Sequence, residues 1–276
     1  MTLSLRRGLL YPAGWIHELV GRFCKRTLNF LKLSVQSDDA VIKPGKGKTD
    51  PALGSVALMV AISQDLDRLT KLKPVDGFDQ GFFKIFRIKE KTKRGLSLSG
   101  PFVGAPQAAI VMEKIIALGA ERICVFGWCG SLQPDLRIGD IVVPLHAISE
   151  EGTSQHYPVG NMNTGTDQSL NRILERALER EGLPFRKGMV WTTDAPYRET
   201  VSKVKTYQEK GLLAVEMEMS ALMTLAAYRS VKVSGLLVVS DELFALKWHR
   251  GFSSPFFKSR CELAGNLLLK IFEDEG

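Results

Sequence analysis

The sequence predicts an α/β fold in which a mainly parallel sheet lies between helical layers. Three observations lead there. The runs VALMVAI, RICVFG and VSGLLVVSDEL are apolar without polar alternation, as strands covered on both faces are. Stretches of helical period stand between such runs, notably 105–118 and 167–181, and each is closed by a glycine, Gly119 and Gly182. Strands that alternate with helices along a chain build parallel sheets with helical cover. Third, the chain has 276 residues, 45% of them apolar, enough for one sizeable core.

The elements follow in order. Residues 1–50 are expected to form a basic extension, with nine Lys/Arg against four Asp/Glu. Within it Ile16, Leu19, Val20, Phe23, Leu28 and Leu31 recur at helical spacing among basic residues. That pattern predicts an amphipathic helix, either packed on its own domain or a second subunit, or resting on a partner or membrane surface. VIKPGKGKTDPALG reads as a linker. A catalytic-size domain, 51–276, then begins with the strand from Val56. A helix near 66–72 follows, then strand-like FFKIFRIK and GLSLSG, and the helix 105–118. RICVFG and DIVVPLHAI are the next strands. The helices 167–181 and 216–229, the strand VSGLLVVSDEL and a last helix over 256–272 complete the order. No internal repeat is visible.

Charge and cysteine usage exclude several classes. Residues 51–276 hold 28 Lys/Arg against 26 Asp/Glu, so the body is nearly neutral and nucleic acid is not an expected partner. No apolar run approaches the ~20 residues of a membrane span, and no signal-peptide cleavage site follows the N-terminus. Cys24, Cys124, Cys129 and Cys261 form no C-x-x-C pair and have no histidine at ligand spacing. A reducing, cytoplasmic setting without disulfides or a metal site is expected. His146, His156 and His249 do not cluster with other ligands; His249 sits in LKWHRGFSSPFF, a candidate lid. Neither a dinucleotide fingerprint nor a P-loop nor a nucleophile elbow is present.

In such sheets ligands bind outside the carboxyl ends of the strands. Two loops there carry chemistry. In VFGWCGSLQPDLRIGDIVVP, Gly127, Gly130 and Ser131 let backbone N–H groups approach an anion or a sugar. In AVEMEMSAL, Glu216 and Glu218 flank Met217 at a helix start, where acidic residues are stabilised by the helix itself. As a functional set, a carboxylate holds two adjacent ribose hydroxyls and a methionine gives the sugar an apolar floor.

V-E-M-E-x-S-A-L, with G-W-C-G-S-L-x-P-x-L-R-I-G-D-I-V-V-P upstream and V-S-D-E downstream, resembles the purine nucleoside phosphorylase and uridine phosphorylase family. The resemblance runs from about Val56 to the C-terminus. It implies a three-layer α/β/α fold with a mixed, partly closed central sheet, and a homo-oligomer. It implies that Glu216, Met217 and Glu218 seat the ribose, with Glu218 on its hydroxyls. Asp241 matches the acid that protonates a purine at N7, a step worth ~10²–10⁴-fold in rate; its alternative is a helix cap. Tyr157 falls where an aromatic stacks on the base. Asp194 and Arg198, with Thr193 and Tyr197, lie where the base-recognition loop stands. Gly130 and Ser131 match the loop that holds phosphate or ribose.

The nucleophile is open at this point. Arg68, in QDLDR, matches a phosphate-binding arginine, while Gln64 and Leu66 replace a family glycine and proline. Val125 stands where a second family arginine is expected, which removes a contact worth about 1.5–3 kcal/mol. Asp65 falls on the catalytic base of the related nucleosidases, which use water. Both side chains fit equally a solvated face of the first helix. The implied function is phosphate-dependent cleavage of a nucleoside, purine favoured, to free base and ribose 1-phosphate, as in purine salvage, with inorganic phosphate as co-substrate and no cofactor. The alternatives are hydrolysis of the same bond and a non-catalytic nucleoside-binding module.

Overall fold

The computed structural model describes residues 40–89 and 95–274. The chain divides into two units, Met1–Lys43 and Pro44–Gly276. The amphipathic stretch predicted in residues 15–33 lies outside the described residues.

The second unit runs β1 (Val56–Val60), α1 (Ser63–Leu72), β2 (Val75–Asp79), β3 (Lys84–Ile88), β4 (Leu96–Gly100), α2 (Gly104–Ala117) and β5 (Arg122–Ser131). It continues with β6 (Ile141–Glu150), α3 (Gln168–Arg180), β7 (Phe185–Thr193), α4 (Val201–Glu209) and β8 (Ala214–Glu216). It ends with α5 (Met219–Arg229), β9 (Lys232–Glu242), β10 (His249–Arg250) and α6 (Pro255–Asp274). Single 3₁₀ turns lie at Ser154–His156 and Pro196–Arg198.

The strands form one sheet in the order β10-β9-β6-β7-β8-β5-β1-β4-β3-β2. Strand β9 also pairs with β5, so β5, β9, β6, β7 and β8 close a ring, and β1, β4, β3 and β2 extend from it. The sheet is mixed. β1 is parallel to β4 and β5, and β5 to β9, whereas β6–β9, β5–β8 and β3–β4 are antiparallel. The mainly parallel expectation is thus refined into the partly closed mixed sheet.

Period-two alternation divides the residues of β1 between two cores, while Trp191 of β7 and Val215 of β8 join a third, smaller cluster with Val204 and Tyr207 of α4. In β1, Val56, Leu58 and Val60 join Leu66, Leu69, Leu174 and Phe257 on one face. Ala57 and Met59 join Val111, Met112 and Leu222 on the other. Helices α1, α3 and α6 therefore cover one side and α2 and α5 the other, which is why these strands lack polar alternation. Helix α3 starts at Asp167, whose carboxylate accepts from the N–H groups of Ser169 and Leu170.

Two readings change. RICVFG does not end at a glycine loop; β5 continues to Ser131 because β9 pairs along its whole length and β8 pairs at Gly130 and Ser131. Strands β2, β7 and β8 and helix α4 were not expected. The first half of β7 carries Arg186, Lys187 and Met189 at its surface, so only its buried end, Val190–Thr193, looks like a strand in sequence.

Candidate active site

The ends of β1, β5 and β9 and the turn from β8 into α5 surround a cavity of about 400 Å³. That is within the ~300–1,000 Å³ of small-molecule sites. Ala61 and Ile62 line it just beyond β1, Trp128, Cys129 and Gly130 from β5, and Ser240 and Asp241 from β9. Glu216, Met217 and Glu218 line it from the β8–α5 turn. Glu199 and Tyr197 reach it from the turn before α4, and Lys247, Trp248 and Phe252 from the segment after β9.

Glu216 is buried and engaged by its own backbone. Its Oε2 accepts the N–H groups of Glu218 and Met219, each at 2.7 Å, and its Oε1 accepts the Thr192 hydroxyl. The free amides at the start of α5 are thereby satisfied, and the Glu-Met-Glu triplet is held in one shape. Glu218 is half-buried; its Oε1 accepts the Gly104 N–H at 2.6 Å, at the start of α2. Burial raises both carboxyls above their ordinary range, and the Glu216 charge raises Glu218 further.

Asp241 reaches the cavity through a β-bulge. On β5 and β9, Cys129 opposes Val239 and Gly130 opposes Asp241, so Ser240 is the extra residue. A Cβ at Gly130 would lie 2.6 Å from Leu243 and 3.2 Å from both Asp241 Oδ2 and Val215. Any side chain there would have to displace the Leu243 methyl and crowd the Asp241 carboxylate and Val215. Asp241 Oδ1 accepts the Ser240 hydroxyl at 2.6 Å, and Oδ2 accepts the Trp248 indole N–H at 2.8 Å. Glu199 shares the cavity. Burial, with the Asp241 charge behind it, pushes its carboxyl from 4.5 to about 7.

Other expected residues are held elsewhere. Arg68 does not line the cavity; its guanidinium donates to α6, to Cys261 O at 2.9 Å, Asn266 Oδ1 at 3.0 Å and Glu262 O at 3.2 Å. Asp65 is buried beneath it and accepts from Arg68 and from the Trp128 indole N–H at 3.0 Å. Neither is the solvated helix face that sequence also allowed. Ser131 is fully buried and donates to Gln133 O at 2.9 Å. Tyr157 packs edge-on against Tyr228, 5.3 Å between ring centroids, rather than on the cavity wall. Asp194 accepts the Gly152 N–H at 2.9 Å and Arg198 is exposed, and neither is a wall residue. Val125 is a core residue. Among the described residues, no group of three His, Cys, Asp or Glu is arranged to hold a metal.

Glu199, Trp248 and Lys247 escaped sequence reading. Glu199 directly follows Arg198 in the segment TTDAPYRET, where the sequence points to Asp194 and Arg198. The 3₁₀ turn at Pro196–Arg198 is what brings Glu199 to the wall while Arg198 stays outside.

The geometry has a counterpart among known proteins. A family model, the phosphorylase superfamily, matches residues 55–273. The chain belongs to the phosphorylase superfamily. Among relatives of this superfamily member, a purine nucleoside phosphorylase DeoD-type of Bacillus cytotoxicus is 33% identical over 156 residues, 56% of this chain and 66% of that protein. The same figures hold for the Bacillus cereus protein of that name. Two solved structures share the fold. They are the Toxoplasma gondii purine nucleoside phosphorylase in complex with immucillin-H and the Vibrio fischeri uridine phosphorylase. The first has a TM-score of 0.71 at 21% identity, covering 80% of this chain and 90% of that one. The second has a TM-score of 0.71 at 20% identity, covering 79% and 92%.

Proposed function

We propose that the chain cleaves the N-glycosidic bond of a nucleoside, purine favoured, with inorganic phosphate as co-substrate, giving free base and ribose 1-phosphate. One observation carries the reading: the Glu-Met-Glu triplet, Asp241 and Gly130 share a single nucleoside-sized cavity. Glu218 accepts the ribose hydroxyls, with Met217 beneath the sugar. Glu216 holds the triplet through its amide contacts. Asp241 protonates the departing purine, and Glu199 hydrogen-bonds the base edge. The names of the Bacillus relatives support purine and phosphate.

Hydrolysis is the second reading, and specific residues favour it. Apolar Ala61, Ile62, Phe102 and Trp128 form much of the wall, and Lys247 is its one Lys or Arg among the described residues. The deciding assay is a nucleoside panel scored for free base, with and without phosphate, identifying ribose 1-phosphate or ribose. Asp241→Ala is expected to lower purine nucleoside turnover at least a hundredfold and to spare pyrimidine nucleosides. Equal loss on both would remove the purine assignment.

The same proposal includes a cytoplasmic homo-oligomer. Support comes from three described cysteines that are free and buried, and from exposed Phe82, Val103 and Ile110. No described helix is long and apolar enough to cross a membrane.

A further inference from the structure

We propose that Trp248 is the positioning residue for Asp241 and the aromatic wall against the leaving base. The proposal rests on the glycosidic-cleavage reading above. Trp248 follows Asp241 by seven residues and returns to it because β10 pairs with the end of β9, His249 opposite Glu242 and Arg250 opposite Asp241. The hairpin leaves the indole N–H 2.8 Å from Asp241 Oδ2, and both side chains line the cavity. The ring is fixed from behind. Phe252 lies 6.3 Å from it nearly edge-on, Phe252 lies 6.0 Å from Trp128, and the Arg250 guanidinium sits 5.3 Å over the indole.

Two points argue against a merely structural role. Trp248 is 55% exposed, so it adds little to the core, yet its one polar atom is directed at a carboxylate. Tyr157, the expected stacking residue, is packed on Tyr228, which leaves the base without that ring. The chemistry fits an indole. As the bond breaks, its electron pair passes to the base, the Asp241 proton goes to N7, and the sugar is captured by the acceptor oxygen. An indole N–H donates but accepts no proton, so it holds Oδ2 in place and stabilises the carboxylate that the departing proton leaves behind.

The test compares a purine nucleoside with its N7-methylated analogue, whose base leaves already charged and needs no proton. Trp248→Phe keeps a ring and removes the donor. It is expected to lower kcat about tenfold on the purine nucleoside, while the N7-methyl analogue changes less than about twofold and KM stays put on both. Trp248→Ala also removes the wall and is expected to raise KM severalfold on both substrates. Equal kcat losses on the two substrates in Trp248→Phe, or no loss on the first, overturn the proposal. If the wild-type chain releases no base, the cleavage reading itself fails and this assignment falls with it; if Asp241→Ala is fully active, cleavage stands but Asp241 is not the acid, and this assignment alone is overturned.

Discussion

Replacing Arg68 with methionine separates an anion site from a structural clasp. The guanidinium makes three contacts to α6, between 2.9 and 3.2 Å, and stands 3.4 Å from Asp65 Oδ1. Methionine keeps most of the stem and removes all of these. Hydrogen bonds to charged groups are worth ~1.5–3 kcal/mol each, but bonds that share one guanidinium do not add. Loss of one partner from a buried pair costs ~3–5 kcal/mol. Asp65 is 5% exposed and would keep only Trp128 as a donor. Burial already raises its carboxyl, against the pull of Arg68, so it escapes part of that cost by taking up a proton. The expected loss is therefore about 3 kcal/mol. At ~2–4 °C per kcal/mol for a domain of this size, Tm falls by about 6–12 °C in a thermal melt followed by circular dichroism. The Michaelis constant for phosphate is expected to stay within about twofold. An unchanged Tm with a large rise in that constant would refute the clasp and return Arg68 to the anion. Gly265→Ala probes the same contact, because a Cβ there would lie 2.7 Å from Arg68 Nη2. Its effect should shrink once Arg68 is methionine.

Two further substitutions address the cavity. Glu199 has a folded value near 7 against an ordinary 4.5, so the folded chain holds its proton where the unfolded chain has released it. Stability contributed by the neutral form is lost as pH rises from about 4.5 to 7. Glu199→Gln should flatten that slope, by ~1–2 kcal/mol after allowance for partial exposure, in urea melts across this window. An unchanged slope would show that Glu199 titrates normally. Gly130→Ala forces Leu243 and Asp241 to move, so activity should fall at least tenfold with a Tm loss of a few degrees. Full activity would mean that the bulge does not aim Asp241.

Sequence made the alternation of elements legible because both faces of the sheet are covered. Apolar runs such as Val56–Val60 and residues 233–240 then need no polar phase. It was equally informative about Glu216–Glu218 and Asp241, which sit at strand ends where the chain has little freedom. It failed where position depends on partners far along the chain. Nothing around residue 68 announces that α6, nearly two hundred residues later, packs its carbonyls against that guanidinium. Glu199 and Trp248 were hidden for a related reason. One is delivered by a 3₁₀ turn and the other by a two-residue strand, and neither element has a period to detect.

The charges on the cavity wall also constrain the ligand. Glu199, Glu216, Glu218 and Asp241 share with Lys247 a cavity wall that is otherwise largely apolar. A neutral nucleoside enters such a cavity without electrostatic cost, whereas any phosphate, free or esterified, would meet ionised carboxylates at short range and low dielectric, where repulsion is several-fold stronger than in water. The same burial that makes these carboxylates costly also makes them retain protons: Glu216, Glu218 and Glu199 are all raised. Retained protons reduce the negative charge that phosphate must approach, and the Glu199 proton leaves a hydrogen-bond donor for the base. Cleavage at neutral pH needs a leaving base that receives a proton, so an acidic cavity that stays partly protonated suits the reaction better than a cationic one.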